Sequence, residues 1–169
     1  DCVGPCTLAP RRDYFVALCK SIYAQQVSTT VARILFDRFQ SHFPRLRPTP
    51  ILVHALRTGD EDSFRACGLW RQNRKYLIDL SRHFMDGRIA TRKLAALDDE
   101  QVIEALVNVQ GIGRWTAEMF LMFVLNRPDV LPVDDLGLRE GIKRFYKLRE
   151  RPDAKEIQHI AEPWRPWRS

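Results

Sequence analysis

Leu106-Val107-Asn108-Val109-Gln110-Gly111-Ile112-Gly113-Arg114-Trp115-Thr116-Ala117 is the stretch that decides how this chain folds. Before it, Val102, Ile103, Leu106 and Val107 recur at three- and four-residue steps. That spacing predicts a helix, capped by Asp98 or Asp99, ending at the turn 109–113. A second helix is expected from Arg114 to about Leu125. Trp115, Met119, Phe120, Met122, Phe123 and Val124 leave it almost no polar face, so it is expected to lie buried at the centre of the domain. Between the helices, Gly111 and Gly113 lack the Cβ that would obstruct positive backbone dihedrals and close approach of an anion. A turn that feeds a helix start points N–H groups outward and so makes an anion site. A lone GxG is also a plain turn, and the apolar helices framing this one make it specific.

Outward from the turn, the same periodicity repeats. Phe15, Leu18, Cys19, Ile22 and Tyr23, then Val27, Val31, Ile34, Leu35 and Phe39, predict two helices or one broken helix. Pro44, Pro48 and Pro50 punctuate the chain before Ile51 to Leu56. Gly68 precedes a helical run carrying Tyr76, Leu77, Leu80 and Phe84 that Gly87 ends. No stretch alternates with period two for long enough to build a sheet. The fold class is therefore all-α.

The 169 residues suffice for one domain or two small lobes, and 45% hydrophobic composition supports a real core. Lys and Arg outnumber Asp and Glu by 27 to 21, giving a net charge of +6 that favours polyanionic partners, with an ordinary solvated basic surface as the alternative. Cys2, Cys6, Cys19 and Cys67 lack metal-ligand spacing and read as reduced, mostly buried thiols. His42, His54, His83 and His159 form no ligand or nucleophile pattern and read as surface or satisfied core residues. No run approaches the roughly 18 apolar residues of a membrane span. No membrane association is expected, and the location expected is intracellular: bacterial cytoplasm or nucleoid, or a eukaryotic nucleus. The sequence opens at Asp1 rather than Met and stops at Ser169, which reads as a chain lacking a piece at one or both ends.

The 106–117 stretch resembles the helix-hairpin-helix motif of base-excision DNA glycosylases, and Leu131-Pro132-Val133-Asp134-Asp135-Leu136-Gly137-Leu138-Arg139 resembles that superfamily's catalytic loop. The nearest resemblance is to the 3-methyladenine DNA glycosylase II family. Ala24-Gln25-Gln26-Val27-Ser28, Cys67-Gly68-Leu69 and Trp164-Arg165-Pro166-Trp167-Arg168-Ser169 are similar to its segments in the same order, so the resemblance covers nearly the whole chain. It implies a two-lobed helical fold with a cleft between lobes, here 24–125 and 1–23 plus 126–169, with the hairpin at 107–115. It also implies a monomer acting on double-stranded DNA that contains a damaged base, and hydrolysis of the N-glycosidic bond of an alkylated purine. An aromatic-bearing helix follows the terminal segment in the family, and many relatives carry a preceding β-rich domain, so this chain resembles the compact version.

The resemblance places Asp135 at the catalytic position, where a fixed anion stabilises the oxocarbenium character of the sugar. Asp134 is the competing carboxylate, and an Asp before a helical run is also an ordinary cap; capping is assigned to Asp134 and catalysis to Asp135. Trp115 and Met119 are implied to line the base pocket. Gln26 is implied to fill the gap left by the flipped base, with a helix-surface glutamine as the alternative. DNA contacts are implied for Gly111, Gly113, Arg114 and Thr116. No cofactor is implied beyond a possible structural Na⁺ or K⁺ on the backbone carbonyls of Val107, Val109 and Gly111. Arg71, Arg74, Lys75, Arg139, Lys143 and Arg144 are candidates for phosphate contacts, of which only a minority is expected to serve. Bifunctional relatives carry a lysine nucleophile two residues after the second glycine, where this chain has Trp115; an indole forms no Schiff base, so a monofunctional hydrolase is expected. The alternatives are a noncatalytic helix-hairpin-helix DNA-binding module, which has no use for Asp135, and a bifunctional glycosylase/lyase for oxidised bases.

Overall fold

The computed structural model of the chain describes residues 9–25 and 27–169. Among these every regular element is helical and no strand occurs, in keeping with the sequence periodicity. They divide into two compact units, Arg11–Gly113 and Arg114–Ser169, the second of which also takes in residues 9–10.

The first unit contains α1 (Tyr14–Tyr23), α2 (Thr29–His42), α3 (Pro50–Thr58), α4 (Glu61–Ala66), α5 (Arg71–Met85), α6 (Thr91–Leu94) and α7 (Asp99–Val107). Most begin at a side chain that accepts one of the orphan N–H groups of the first turn: Asp13, Ser28, Thr49, Asp60 and Asp98. Asp98, not Asp99, caps α7, and Gln101 completes a reciprocal capping box with it. The run from Asp13 to Phe39 forms two helices, because Ser28 starts a new one after α1 has ended at Tyr23. α5 packs against both α1 and α3. Leu18, Ile22, Phe36, Phe39, Leu77, Leu80 and Leu106 are almost fully buried in this unit, and the Tyr23 ring meets Phe36 edge-on at 5.4 Å. Truncating one of these leucines to alanine is expected to cost about 2–5 kcal/mol.

The second unit holds α8 (Arg114–Phe123), α9 (Leu136–Phe145) and α10 (Ala154–Ala161), followed by a 3₁₀ turn at Glu162–Trp164. Its last residues are pinned to the loop after α8. Arg168 donates from Nε to Asp129 Oδ1 at 2.5 Å and from Nη2 to Oδ2 at 2.8 Å, and Arg165 Nη1 reaches the same carboxylate at 3.0 Å. The Ser169 hydroxyl accepts from Val130 N at 2.9 Å and donates to Arg127 O at 2.7 Å.

Several sequence expectations change. The lobes expected at 24–125 and 1–23 plus 126–169 are not the observed division: α1 belongs to the first unit because Phe15, Leu18, Cys19 and Ile22 are buried where it packs on α2 and α5, and α8 belongs to the second. α8 is not buried all round. Trp115 and Phe123 are 48% and 49% exposed, while Glu118, the residue that looks most polar, is 4% exposed and paired with Arg114 at 3.1 Å. The helix satisfies one charge internally and offers aromatic surface outward. Cys19 and Cys67 are free and buried, as expected, and Cys2 and Cys6 lie outside the described residues. His42, His54 and His159 are exposed. His83 is a satisfied core residue, close to Asp79 O at 3.0 Å and Arg88 Nη1 at 3.1 Å. No helix among the described residues is long and apolar enough to cross a membrane.

Hydrogen bonds from Arg168, with help from Arg165, hold the Asp129 carboxyl below its usual range, and Arg151 and Arg144 do the same for Glu140. A carboxylate whose folded pKa is depressed contributes stability that is present above the unfolded pKa of about 4 and is lost as pH falls through the folded value. The melting temperature should therefore drop as pH is lowered from 5 toward 3, by analogy with acid unfolding of other carboxylate-paired folds. Arg168→Ala should lower it at pH 7 and converge toward wild type in acid. A difference that stays constant across the titration, followed by circular dichroism, would exclude the pairing as its source.

Candidate active site

The candidate residues fall in two groups, one in each unit: the hairpin in the first and the loop that opens α9 in the second. In the hairpin, Gly111 has φ of +85°, a left-handed conformation that a side chain rarely tolerates. A Cβ there would also sit 2.3 Å from Cδ2 of Tyr76 on α5, so glycine is required twice over. The turn is tied at two further points within the same unit. The Gln25 side-chain amide donates to Gly111 O at 2.6 Å, and Gln110 N donates to Asp79 Oδ2 at 2.9 Å. Val109 N and Ile112 N are satisfied by Leu106 O and Val109 O, whereas the N–H groups of Gly111 and Gly113 have no acceptor among the described residues. Gly113 is exposed, with open space where a Cβ would be. Two free donors on an exposed turn that runs into a helix start are what the glycines were expected to provide.

The second unit contains the carboxylate. Pro132 is buried, the 132–135 turn closes with Asp135 N donating to Pro132 O at 2.9 Å, and Arg139 Nε braces it through Val133 O at 2.9 Å. Asp135 is the N-cap of α9: its Oδ1 accepts from Leu138 N at 2.7 Å. This corrects the sequence assignment, which gave the cap to Asp134. Asp134 instead is exposed and, among the described residues, pairs only with Arg139, at 3.4 Å. The other oxygen of Asp135 is taken by the indole N–H of Trp115, again at 2.7 Å. One donor from α9 and one from α8 thus fix the carboxylate in orientation, and the N-terminal dipole of α9 favours its charge. Gly137 keeps that arrangement open, since a Cβ there would lie 3.0 Å from Asp135 Oδ1.

Other expected site residues separate clearly. Trp115 and Met119 lie one helical turn apart on α8, Trp115 exposed and Met119 half-buried, so the two can share one surface. Thr116 is 7% exposed, so its side chain offers little surface for the DNA contact expected of it. Arg114 has its guanidinium on Glu118. Gln26 lies outside the described residues. Of the three carbonyls proposed for a monovalent cation, Val109 O already accepts from Ile112 N and Gly111 O from Gln25. Each of these oxygens keeps a second lone pair. Among the described residues no cluster of His, Cys, Asp and Glu could hold a metal. Arg74 pairs with Glu61 at 2.6 Å and covers the Phe64 ring, Arg71 joins the same carboxylate, and Arg144 pairs with Glu140. Of the six candidate phosphate contacts, Lys75 and Lys143 alone have side chains with no ion pair or hydrogen bond among the described residues.

The first unit thus offers free backbone donors at its hairpin and the second an oriented carboxylate beside an exposed tryptophan, and the family comparison gives both a context: residues 19–166 match the HhH-GPD superfamily of base excision DNA repair proteins, to which this chain belongs. DNA-3-methyladenine glycosylase 1 of Schizosaccharomyces pombe is 33% identical over 94% of this chain and 69% of its own length. Two solved structures are similar throughout. The fission-yeast 3-methyladenine DNA glycosylase in complex with abasic DNA superposes with a TM-score of 0.78 at 30% identity, covering 97% of this chain and 80% of that one. A DNA-3-methyladenine glycosidase from Bacillus halodurans gives 0.80 at 30% identity, covering 99% and 76%.

Gly111→Val forces both a strained φ and a collision with Tyr76. It should lower stability by roughly 2–4 kcal/mol, the sum of left-handed strain and overpacking. Tyr76→Ala in the same chain should relieve the collision but not the strain, so denaturant titration of the four proteins should show a favourable coupling between the two sites. Additive effects would mean that the ring does not back the turn.

Proposed function

We propose that this chain hydrolyses the N-glycosidic bond of alkylated purines of the 3-methyladenine type in duplex DNA, as a monofunctional glycosylase. One observation carries the reading: the Asp135 carboxylate is held by Trp115 Nε1 and Leu138 N, both at 2.7 Å, beside an exposed indole. The names of the relatives support the alkylpurine class. So does Trp115, because an electron-poor alkylated base stacks favourably on an indole.

The chemistry asks little of the enzyme besides position and charge. As the bond from C1′ to the base nitrogen lengthens, the electron pair leaves with the base and the sugar becomes cationic. Asp135 opposes that charge with an anion that need not reorganise, since both its oxygens are already oriented. A water molecule completes the hydrolysis at C1′, leaving a free base and an abasic site. Alkylation gives the base a positive charge or electron deficiency that makes it a good leaving group, so proton donation to it is unnecessary. The turn at Gly111 and Gly113 supplies N–H groups for a phosphate of the same strand, and the wedge role of Gln26 belongs to this reading. Trp115 occupies the position of the lyase lysine, so no amine attacks the sugar.

Asp135→Asn should slow single-turnover excision from alkylated duplex by about a hundredfold or more, the scale of losing one preorganised electrostatic group. Because both carboxylate oxygens accept hydrogen bonds, Asn retains only one of them. A modest fall in melting temperature, on the order of 2–4 °C for each kcal/mol lost, is expected beside the kinetic effect. Asp134→Asn, which touches only the surface pair with Arg139, should excise at nearly wild-type rate. Activity in Asp135→Asn with loss in Asp134→Asn would show that the wrong carboxylate has been chosen. Borohydride added during turnover should trap no covalent protein–DNA adduct, and stoichiometric trapping would overturn the monofunctional assignment.

A further inference from the structure

The carboxylate that ties the hairpin to α5 belongs to Asp79, which lies 31 residues earlier in the chain. Its partners divide unequally. Gln110 N lies 2.9 Å from Oδ2, while the nearest histidine nitrogen, His83 Nδ1, is 3.6 Å from the same oxygen. His83 has little need of that oxygen. Arg88 can only donate, so His83 Nε2, 3.1 Å from Arg88 Nη1, must accept; the ring proton then resides on Nδ1, where Asp79 O takes it at 3.0 Å. Arg88 is in turn held by Asp86 at 2.9 Å. With His83 satisfied by backbone and arginine, the Asp79 side chain is left to the hairpin.

What it holds there matters for binding. Gln110 precedes Gly111, whose N–H is one of the two free donors of the turn, and the peptide between them is fixed on either side: by Asp79 on Gln110 N and by Gln25 on Gly111 O. Tyr76, one turn before Asp79 on α5, supports Gly111 from beneath. We infer that Asp79 is a positioning residue for DNA backbone binding: its carboxylate oxygen sets the plane of the hairpin peptides so that the Gly111 and Gly113 N–H groups stay available to a phosphate. This rests on the reading that the hairpin holds DNA. The arrangement has an electrostatic cost, because a carboxylate with a 21% exposed side chain stands beside the proposed phosphate site and repels it. The acceptor and the charge therefore act in opposite directions, and substitution separates them.

Asp79→Asn keeps an acceptor oxygen and removes the charge, whereas Asp79→Ala removes both. Duplex affinity, measured by titration of an undamaged oligonucleotide at fixed salt, should hold or rise in Asp79→Asn and fall about tenfold in Asp79→Ala, the scale of one lost hydrogen bond to a charged group. Excision at saturating enzyme should be unchanged in both, which separates binding from chemistry. Amide hydrogen exchange at Gln110 in the free protein should accelerate about tenfold or more in Asp79→Ala and change little in Asp79→Asn. If Asp79→Ala binds duplex like wild type, or if Asp79→Asn loses as much as Asp79→Ala, the inference is overturned. A fall in melting temperature with affinity retained would likewise reduce Asp79 to a structural residue. Wild-type protein that binds no duplex would sink the functional reading and the DNA role of Asp79 together, while the exchange measurement decides separately whether the carboxylate holds the turn.

Discussion

Gly111 rests against the ring of Tyr76 at a backbone angle that only glycine adopts freely, and the peptide groups around it face side chains fixed elsewhere in the first unit. The rest of the hairpin depends on that contact. With any larger residue, the turn would have to lift from α5, and the hydrogen bonds of Gln110 N to Asp79 and of Gln25 to Gly111 O would lengthen together. The three ties share one short segment, so their energies cannot be independent. A turn held at three points has little freedom to lose when a phosphate binds, and preorganisation of that kind favours affinity without adding contacts.

The carboxylate of Asp135 illustrates how one residue serves structure and chemistry at once. As an N-cap it satisfies a donor of α9, worth on the order of 1 kcal/mol. As a proposed electrostatic catalyst it accounts for several kcal/mol of barrier. These roles are compatible because they use different features: capping uses one lone pair in a fixed direction, and catalysis uses the net charge, which the hydrogen bonds from Trp115 and Leu138 orient without neutralising. Trp115 connects the two as a positioning group, with its indole N–H committed to the carboxylate and its ring exposed.

How much of this was legible in the sequence follows from the range of the interactions. Helix existence was legible because apolar spacing and capping residues are local: the break between α1 and α2, the start of α7 and the hairpin glycines all fall where the residues indicate. The choice between Asp134 and Asp135 as cap was not, because it depends on which carboxylate the turn after Pro132 directs toward Leu138 N. Nor was the bond from Trp115 to Asp135, which spans 20 residues, or the hold of Asp79 on Gln110, which spans 31. Gln25 stood in a recognised segment, but its bond to Gly111 O joins residues 86 apart in the chain, and no local signal announces a contact of that range. The burial of Glu118 was not read from the sequence either; the signal available was Arg114, four residues earlier, at ion-pair spacing.

Net charge was the least reliable guide, and the reason is physical. The excess of basic residues counts charges without saying where they are spent. Arg74, Arg114, Arg139, Arg144, Arg165 and Arg168 are engaged with carboxylates of the same unit. An arginine already held by a carboxylate must give up or share that partner to take a phosphate, and the exchange recovers only the difference between two similar interactions. Uncommitted cations such as Lys75 and Lys143, together with backbone N–H groups that have no competing acceptor, are the groups whose full interaction is available to DNA. Backbone donors cannot be titrated and release no counterion of their own, so a protein that relies on them holds its register on a phosphate chain with less salt sensitivity than its formal charge suggests.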